Sequence, residues 1–242
     1  MKTVTAAILV IGDEVLSGRT QDANTQVLAK ALGAVGVQLR EARAIADDEE
    51  TIVAALNAMR AQFDYVFTSG GIGPTHDDIT AEAVGKAFGE RVTIRDDARA
   101  LLENHYGDRI NEGRLRMARI PDGASLIDNP VSIAPGFRIE NVFVMAGVPR
   151  IFSVMLDAVL PTLDGGGVVG EISIPCAVPE GELSCPLGAV AEKHPKVSIG
   201  SYPRIKPEGG FAVTLVARSV DAEALAVAEQ DLLALLAEME GR

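Results

Sequence analysis

Apolar positions along the chain fall into two kinds of run. Val4 to Ile11, "VTAAILVI", is continuous and of strand length, the pattern of a strand covered on both faces in a parallel sheet. From Asp22, "DANTQVLAKALGAVG" places Val27, Leu28, Ala31 and Leu32 on one helical face, with Asp22 to cap its start and Gly33 and Gly36 to end it. "VQLREARAI" alternates like a strand. "DDEETIVAALNAMRAQF" then opens with Asp47 three residues before Glu50, a capping-box spacing, and continues with Ile52, Val53, Leu56 and Met59 at helical spacing.

"YVFTSG" reads as the next strand, "DITAEAVGKAFG" and "RDDARALLENHYG" as helices, and "GFRI" with "NVFVMAG" as a hairpin added to the sheet. "PRIFSVMLDAVLPTL" is a helix with Pro149 in its first turn, where a missing N–H costs little. Alternating strands and helices predict an α/β fold, a mostly parallel sheet between helical layers. "DGGGVVG", Asp164 to Gly170, reads as a linker. Beyond it the order strand, helix, strand, strand, helix predicts a smaller α+β domain. The expected division is 1–164 and 168–242.

Composition narrows what such a fold can do. Acidic residues outnumber basic ones 34 to 22, a formal net charge of −12, which argues against general affinity for nucleic acid or an anionic membrane. No apolar run approaches the ~18 residues of a spanning helix, and Asp13 and Glu14 follow the first apolar stretch at once, so that stretch is a buried strand rather than a signal peptide. Cys176 and Cys185 are too few for a disulfide framework. They read as two small buried thiols in a cytoplasmic protein.

Ligands of open α/β sheets bind at the carboxyl ends of the strands. Turns rich in glycine or acid fall at such ends: "GDEVLSG", "ADDEE", "SGGIGPTHDD" and "AGVPR". In "TSGGIGPTHDDIT", Gly70, Gly71, Gly73 and Pro74 allow a backbone whose N–H groups cradle phosphate, with Thr68, Ser69, Thr75 and Thr80 as hydroxyl neighbours. The adjacent aspartates repel phosphate unless a cation intervenes, and Mg²⁺ is commonly held by one or two carboxylates plus substrate phosphates. Asp47 and Asp78 are the pair chosen to hold it and to act in catalysis. The plainer role for either alone is a helix N-cap.

Gly12, Asp13 and Glu14 form either a tight turn or an acidic pair facing the ligand; Gly147 and Pro149 complete the set of candidate ligand contacts. His76 is a loop histidine or a metal ligand. Arg109, Arg114, Arg116 and Arg119 form a solvated helix face, or embrace a ligand's phosphates or a second subunit. Ser201, Tyr202, Arg204 and Lys206 read as a structural turn. No P-loop and no dinucleotide fingerprint is present.

"GDEVLSGRTQDANTQVLAKAL", "TSGGIGPTHDDITAEAVGKAFG" and "AGVPR" resemble, in order and spacing, the molybdopterin-binding domain shared by the molybdenum-cofactor proteins MogA and MoaB and by the N-terminal part of the competence/damage-inducible protein CinA. The "GPTHDDIT" form is closest to the CinA branch, and 168–242 is similar to the KH-like domain that follows there. The resemblance implies a three-layer α/β/α fold, a homo-oligomer (dimer or trimer), and a nucleotide or pterin as ligand. For Asp78 and Asp47 it implies the carboxylate roles given above. In the CinA branch it implies metal-dependent hydrolysis of ADP-ribose; in the cofactor branch, molybdopterin binding or adenylyl transfer. A related domain of eukaryotic FAD synthases implies FAD as a further substrate. A non-catalytic nucleotide-binding module is the remaining alternative. The nicotinamide-mononucleotide deamidase domain common in CinA proteins lies beyond the sequence, and its activity is expected to be absent.

Overall fold

The computed structural model describes residues 3–205 and 211–240. Contacts divide the chain into two compact units, residues 1–166 and 167–242.

The first unit is built on a six-stranded sheet. Its strands are β1 (Val4–Ile11), β2 (Val37–Ile45), β3 (Tyr65–Ser69), β6 (Ser125–Ile127), β7 (Gly136–Ile139) and β8 (Val142–Met145), in the spatial order β2-β1-β3-β8-β7-β6. The first four in that order run parallel, and the β7–β8 hairpin and β6 pair antiparallel. A separate two-stranded ribbon joins β4 (Val92–Ile94) to β5 (Arg119–Pro121).

Alternation along β1 explains the three layers. Ala7, Leu9 and Ile11 enter one core, and Val4, Ala6, Ile8 and Val10 enter the other. The first core is covered by α3 (Glu49–Gln62), α4 (Thr80–Phe88) and α5 (Asp96–Tyr106), through Ile52, Leu56, Met59, Val84 and Leu102. The second is covered by α2 (Asn24–Ala34) and α7 (Pro149–Val159), through Leu28, Leu32, Phe152 and Leu156. Phe67 of β3 and Phe143 of β8 stack at 5.1 Å between centroids, locking the two strands side by side in the second core.

Several local expectations change. "GDEVLSG" is not a plain turn, because Asp13–Leu16 forms a short helix, α1. A second short helix, α6, spans Glu112–Arg116. The cap of α3 is Asp48, whose carboxylate accepts from the Thr51 amide at 2.9 Å; Asp47 faces elsewhere.

The second unit is a three-stranded antiparallel sheet, β9 (Gly170–Cys176), β10 (Ser198–Ile205) and β11 (Phe211–Ser219), in the order β10-β11-β9. The helices α8 (Glu180–Lys193) and α9 (Ala222–Glu240) cover it through Leu183, Leu187, Leu225 and Leu232. Ser201, Tyr202 and Arg204 lie within β10 rather than in a turn, and Lys206 falls outside the described residues. Cys176 is buried as expected, but Cys185 is exposed. No helix of the described residues is long and apolar enough to cross a membrane.

Candidate functional site

The chain leaves β1 for β2 on one side and then returns to place β3 on the other, so the strand order reverses at the gap between β1 and β3. A crevice opens at such a reversal, because the connections on its two sides run away from each other. Since β1, β2, β3 and β8 are parallel, the turns after Ile11, Ile45, Ser69 and Met145 all lie on that one edge.

Two glycines let the β3 turn fit there. Gly70 has φ +109°, and a Cβ on it would lie 2.2 Å from the Ile11 carbonyl oxygen of the neighbouring strand. Gly71 has φ +68°, and a Cβ on it would meet the Thr80 hydroxyl at 2.1 Å. The Thr80 hydroxyl in turn donates to the Gly70 carbonyl at 3.1 Å, and the Thr80 amide to the Gly71 carbonyl at 3.0 Å. Thr80 therefore braces the loop from its buried position at the start of α4. It does not line the cavity described below.

The remaining loop is closed by Asp78. Its Oδ1 accepts from the Gly73 amide at 2.7 Å, and its Oδ2 from the Thr75 amide at 2.8 Å and from the Thr75 hydroxyl. Asp78 does not cap α4; it staples the glycine loop. The Thr75 hydroxyl also holds the neighbouring Asp77 below the ordinary carboxylate range. His76 stands exposed at the loop tip, with Nδ1 3.9 Å from Asp77.

On the other side of the gap, Gly12 continues the pairing of β1 with β2 by donating to the Ile45 carbonyl at 3.1 Å. The next amide, that of Asp13, donates to the Asp47 carboxylate at 2.9 Å. Burial pushes the Asp47 carboxyl above its ordinary value; the Asp13 amide opposes the shift, and the charges of Glu14, Asp13 and Asp77 add to it. Four carboxylates thus share this corner of the edge.

A cavity of about 540 Å³ lies against the loop. Gly70, Gly71, Gly73 and Pro74 form one wall and Gly147 and Pro149 another, while Glu14 and Asp78 bring carboxylates to it. No lysine, arginine or histidine among the described residues lines it. Asp47 does not line it either: Asp78 and Glu14 both border the cavity, while Asp47 is held by the Asp13 amide after the β1 strand. Thr68 and Ser69 are buried in β3, beneath the edge, rather than at the cavity wall.

Two residues that the sequence did not single out organise this edge. Asn24, buried at the start of α2, donates from Nδ2 to the Ser69 hydroxyl at 2.7 Å and to the Gly147 carbonyl at 2.8 Å, tying the ends of β3 and β8 together. The one available signal was its place four residues before Leu28 and eight before Leu32 on the buried stripe of α2. Asn129, also buried, bonds four groups of the loop it begins, the Val131 and Ser132 amides, the Ser132 hydroxyl and the Ala134 carbonyl, and shapes the cavity wall opposite.

Donor chemistry tests the fit of a divalent ion. Among the described residues no group of three or more His, Cys, Asp or Glu side chains could hold a metal. Glu14 and Asp78 both border the cavity, and one or two carboxylates are what an ion of the Mg²⁺ kind needs where phosphates and water complete its shell.

Comparison with known proteins agrees with this architecture. Residues 7–165 match the family model described as "Probable molybdopterin binding domain", and residues 171–240 match "FAD synthase, middle domain". The chain is 38% identical over 165 residues to a CinA-like protein of Syntrophotalea carbinolica, covering 65% of this chain and 40% of that one. It is 31% identical over 261 residues to a protein named "Probable FAD synthase" in Caenorhabditis elegans, covering 96% of this chain and 50% of that one. The chain thus spans half the length or less of these two relatives. The crystal structure of CinA from Thermoplasma acidophilum, a protein of unknown function, matches with a TM-score of 0.62 and 33% identity, covering 66% of this chain and 99% of that one.

Proposed function

The chain belongs to the family of the molybdopterin-binding domain, in its CinA-like form, and from that premise we propose that its strand-end cavity hydrolyses a phosphoanhydride in an adenosine dinucleotide-like substrate, of which ADP-ribose is the model. The observation that supports this reading is the cavity wall. Glycine-loop backbone and two carboxylates border it with no basic side chain, so a divalent cation is the natural counter-charge for a diphosphate there.

Glu14 and Asp78 would hold Mg²⁺ or a similar ion, with Asp47, held by the Asp13 amide, contributing negative potential. When bound, such an ion offsets phosphate charge and lowers the pKa of its bound water. The chain's own part is positional. The Gly70 to Thr75 loop fixes the diphosphate, Asn24 keeps the β3 and β8 turns in register, and the largely apolar remainder of the cavity takes the nucleoside.

A second reading has the family model's own description in its favour: the same cavity binds molybdopterin and transfers an adenylyl group to it. One screen separates the two. Purified protein is offered ADP-ribose, FAD, or ATP with molybdopterin, each with and without divalent metals. The hydrolase reading expects metal-dependent release of AMP from ADP-ribose or FAD, lost with Asp78→Asn. An adenylylated pterin with no AMP release from either dinucleotide would replace it with the second reading.

A further inference from the structure

A second cavity, of about 120 Å³, shares Gly71, Ile72, Gly73, Asp78 and Met117 with the large one. Beyond those residues its wall changes character. It takes His76 from the loop tip, Glu82 from the first turn of α4, Arg116 from the end of α6 and Arg119 from the start of β5.

Two carboxylates, Asp78 and Glu82, face two guanidinium groups, Arg116 and Arg119, across this wall, but they do not all pair. Asp78 is engaged by the amides of Gly73 and Thr75. Glu82 is engaged by Arg119, whose Nη2 lies 2.6 Å from its Oε1. Arg116 has only the Thr75 carbonyl, 3.3 Å from Nη1, and no carboxylate partner among the described residues. A guanidinium carries five donors in a fixed fork, so most of the donors of Arg116 are left over in a half-buried position. In a chain of formal charge −12, with acidic residues in excess, an unpaired arginine beside the candidate site calls for an anion from outside.

We propose that this smaller cavity is an anion subsite in which Arg116, assisted by Arg119, takes a phosphate group of the same small molecule that occupies the larger cavity. The inference rests on the reading above for the identity of that molecule, and on its own residues for the phosphate. The shared glycine wall brings the two cavities within reach of one ligand. A tetrahedral phosphate has enough terminal oxygens to meet both guanidinium groups, and the cavity has room for that group without an attached ring. The division also fits the electrostatics: the large cavity takes phosphate with a cation, and the small one takes it with arginine.

The test uses inorganic phosphate as probe, titrated into the ¹⁵N-labelled full chain while the amides of Gly71, Gly73 and Met117 are followed, with sodium chloride at matched ionic strength as control. Arg116→Gln is expected to weaken phosphate binding about 10-fold or more, the usual scale for losing a charge-assisted pair. Glu82→Gln, which releases Arg119 from its carboxylate, is expected to tighten binding about 3-fold, and misfolding cannot produce such a gain. Phosphate shifts no larger than those with chloride overturn the proposal, as do affinities unchanged in both variants. Because the probe is not the substrate, the AMP-release screen can fail while this titration succeeds, and the reverse, so each reading is judged by its own result.

Discussion

Asp78 accepts from the Gly73 amide at 2.7 Å, and so occupies one of the backbone donors that a phosphate would need. With the Thr75 amide held by its other oxygen, the carboxylate stands where an anionic ligand would stand. On the proposed reading, an incoming phosphate would compete with Asp78 for these amides, and the displaced carboxylate would be left on the cavity wall, free to meet a cation. Phosphate and metal should therefore assist each other's binding.

Replacing Asp78 tests this exchange. Asp78→Ala removes the acceptor for both amides, so Gly73 and Thr75 should exchange hydrogen with solvent faster. Asp78→Asn keeps one carbonyl acceptor and should preserve more of that protection. Both should lower AMP release at saturating Mg²⁺ by about 100-fold or more, because both remove the charge. Hydrogen exchange and turnover on the same preparations check the pair. Full turnover in Asp78→Asn would show that the carboxylate only staples the loop.

Alanine should act in opposite directions at two glycines. At Gly70 it forces a side chain into φ +109° and against the Ile11 carbonyl, a backbone clash between two core strands that cannot relax locally. A loss of about 3 kcal/mol or more is expected. At Gly33, inside α2 and with nothing within 4 Å of the added carbon, alanine should gain about 0.5–1 kcal/mol. Urea denaturation of the two variants against the parent measures both signs.

The sheet was legible in the sequence because β1, β3 and β8 are apolar on both faces, and only burial between two helical layers tolerates that. The placing of the glycine and acidic turns on one edge followed from parallel strands alone. Contacts across the chain were not legible. Asp47 and Asp48 are chemically equivalent in the sequence, and a tertiary contact decides between them: the Asp13 amide draws Asp47 away and leaves Asp48 to cap α3. The β4–β5 ribbon has three residues in each strand, too few to show a period. Asn24 carries no local mark of the two partners it meets 45 and 123 residues away.

Asn24→Ala should cost about 1–3 kcal/mol, since it leaves the Ser69 hydroxyl and the Gly147 carbonyl without the amide that satisfies both. Asn24→Asp should cost more, because a buried carboxylate would face the Gly147 carbonyl. The functional expectation is separate: with the β3 and β8 turns untied, the KM for a dinucleotide substrate should rise in Asn24→Ala even where the protein is fully folded. Denaturation curves and initial rates below the melting temperature distinguish the two effects.

Asp47 gives the pH dependence its sign. Burial, with the charges of Glu14, Asp13 and Asp77, raises its carboxyl above the ordinary 3.8 in the folded chain, against the opposing pull of the Asp13 amide. The folded state then binds this proton more tightly than the unfolded state does, so ionising Asp47 works against folding. The contribution is favourable at low pH, falls as pH rises from 3.8 through the raised value, and stays as a constant penalty above it. Asp47→Asn removes the penalty and keeps an acceptor for the Asp13 amide. It should therefore melt about 1–2 °C higher at pH 7, the small size reflecting partial exposure, with the gain vanishing toward pH 4. Mg²⁺ should relieve the same crowding, raising the melting temperature of the parent more than that of Asp47→Asn. Calorimetry at both pH values with and without the ion checks this, and a variant less stable than the parent at pH 7 would contradict the sign.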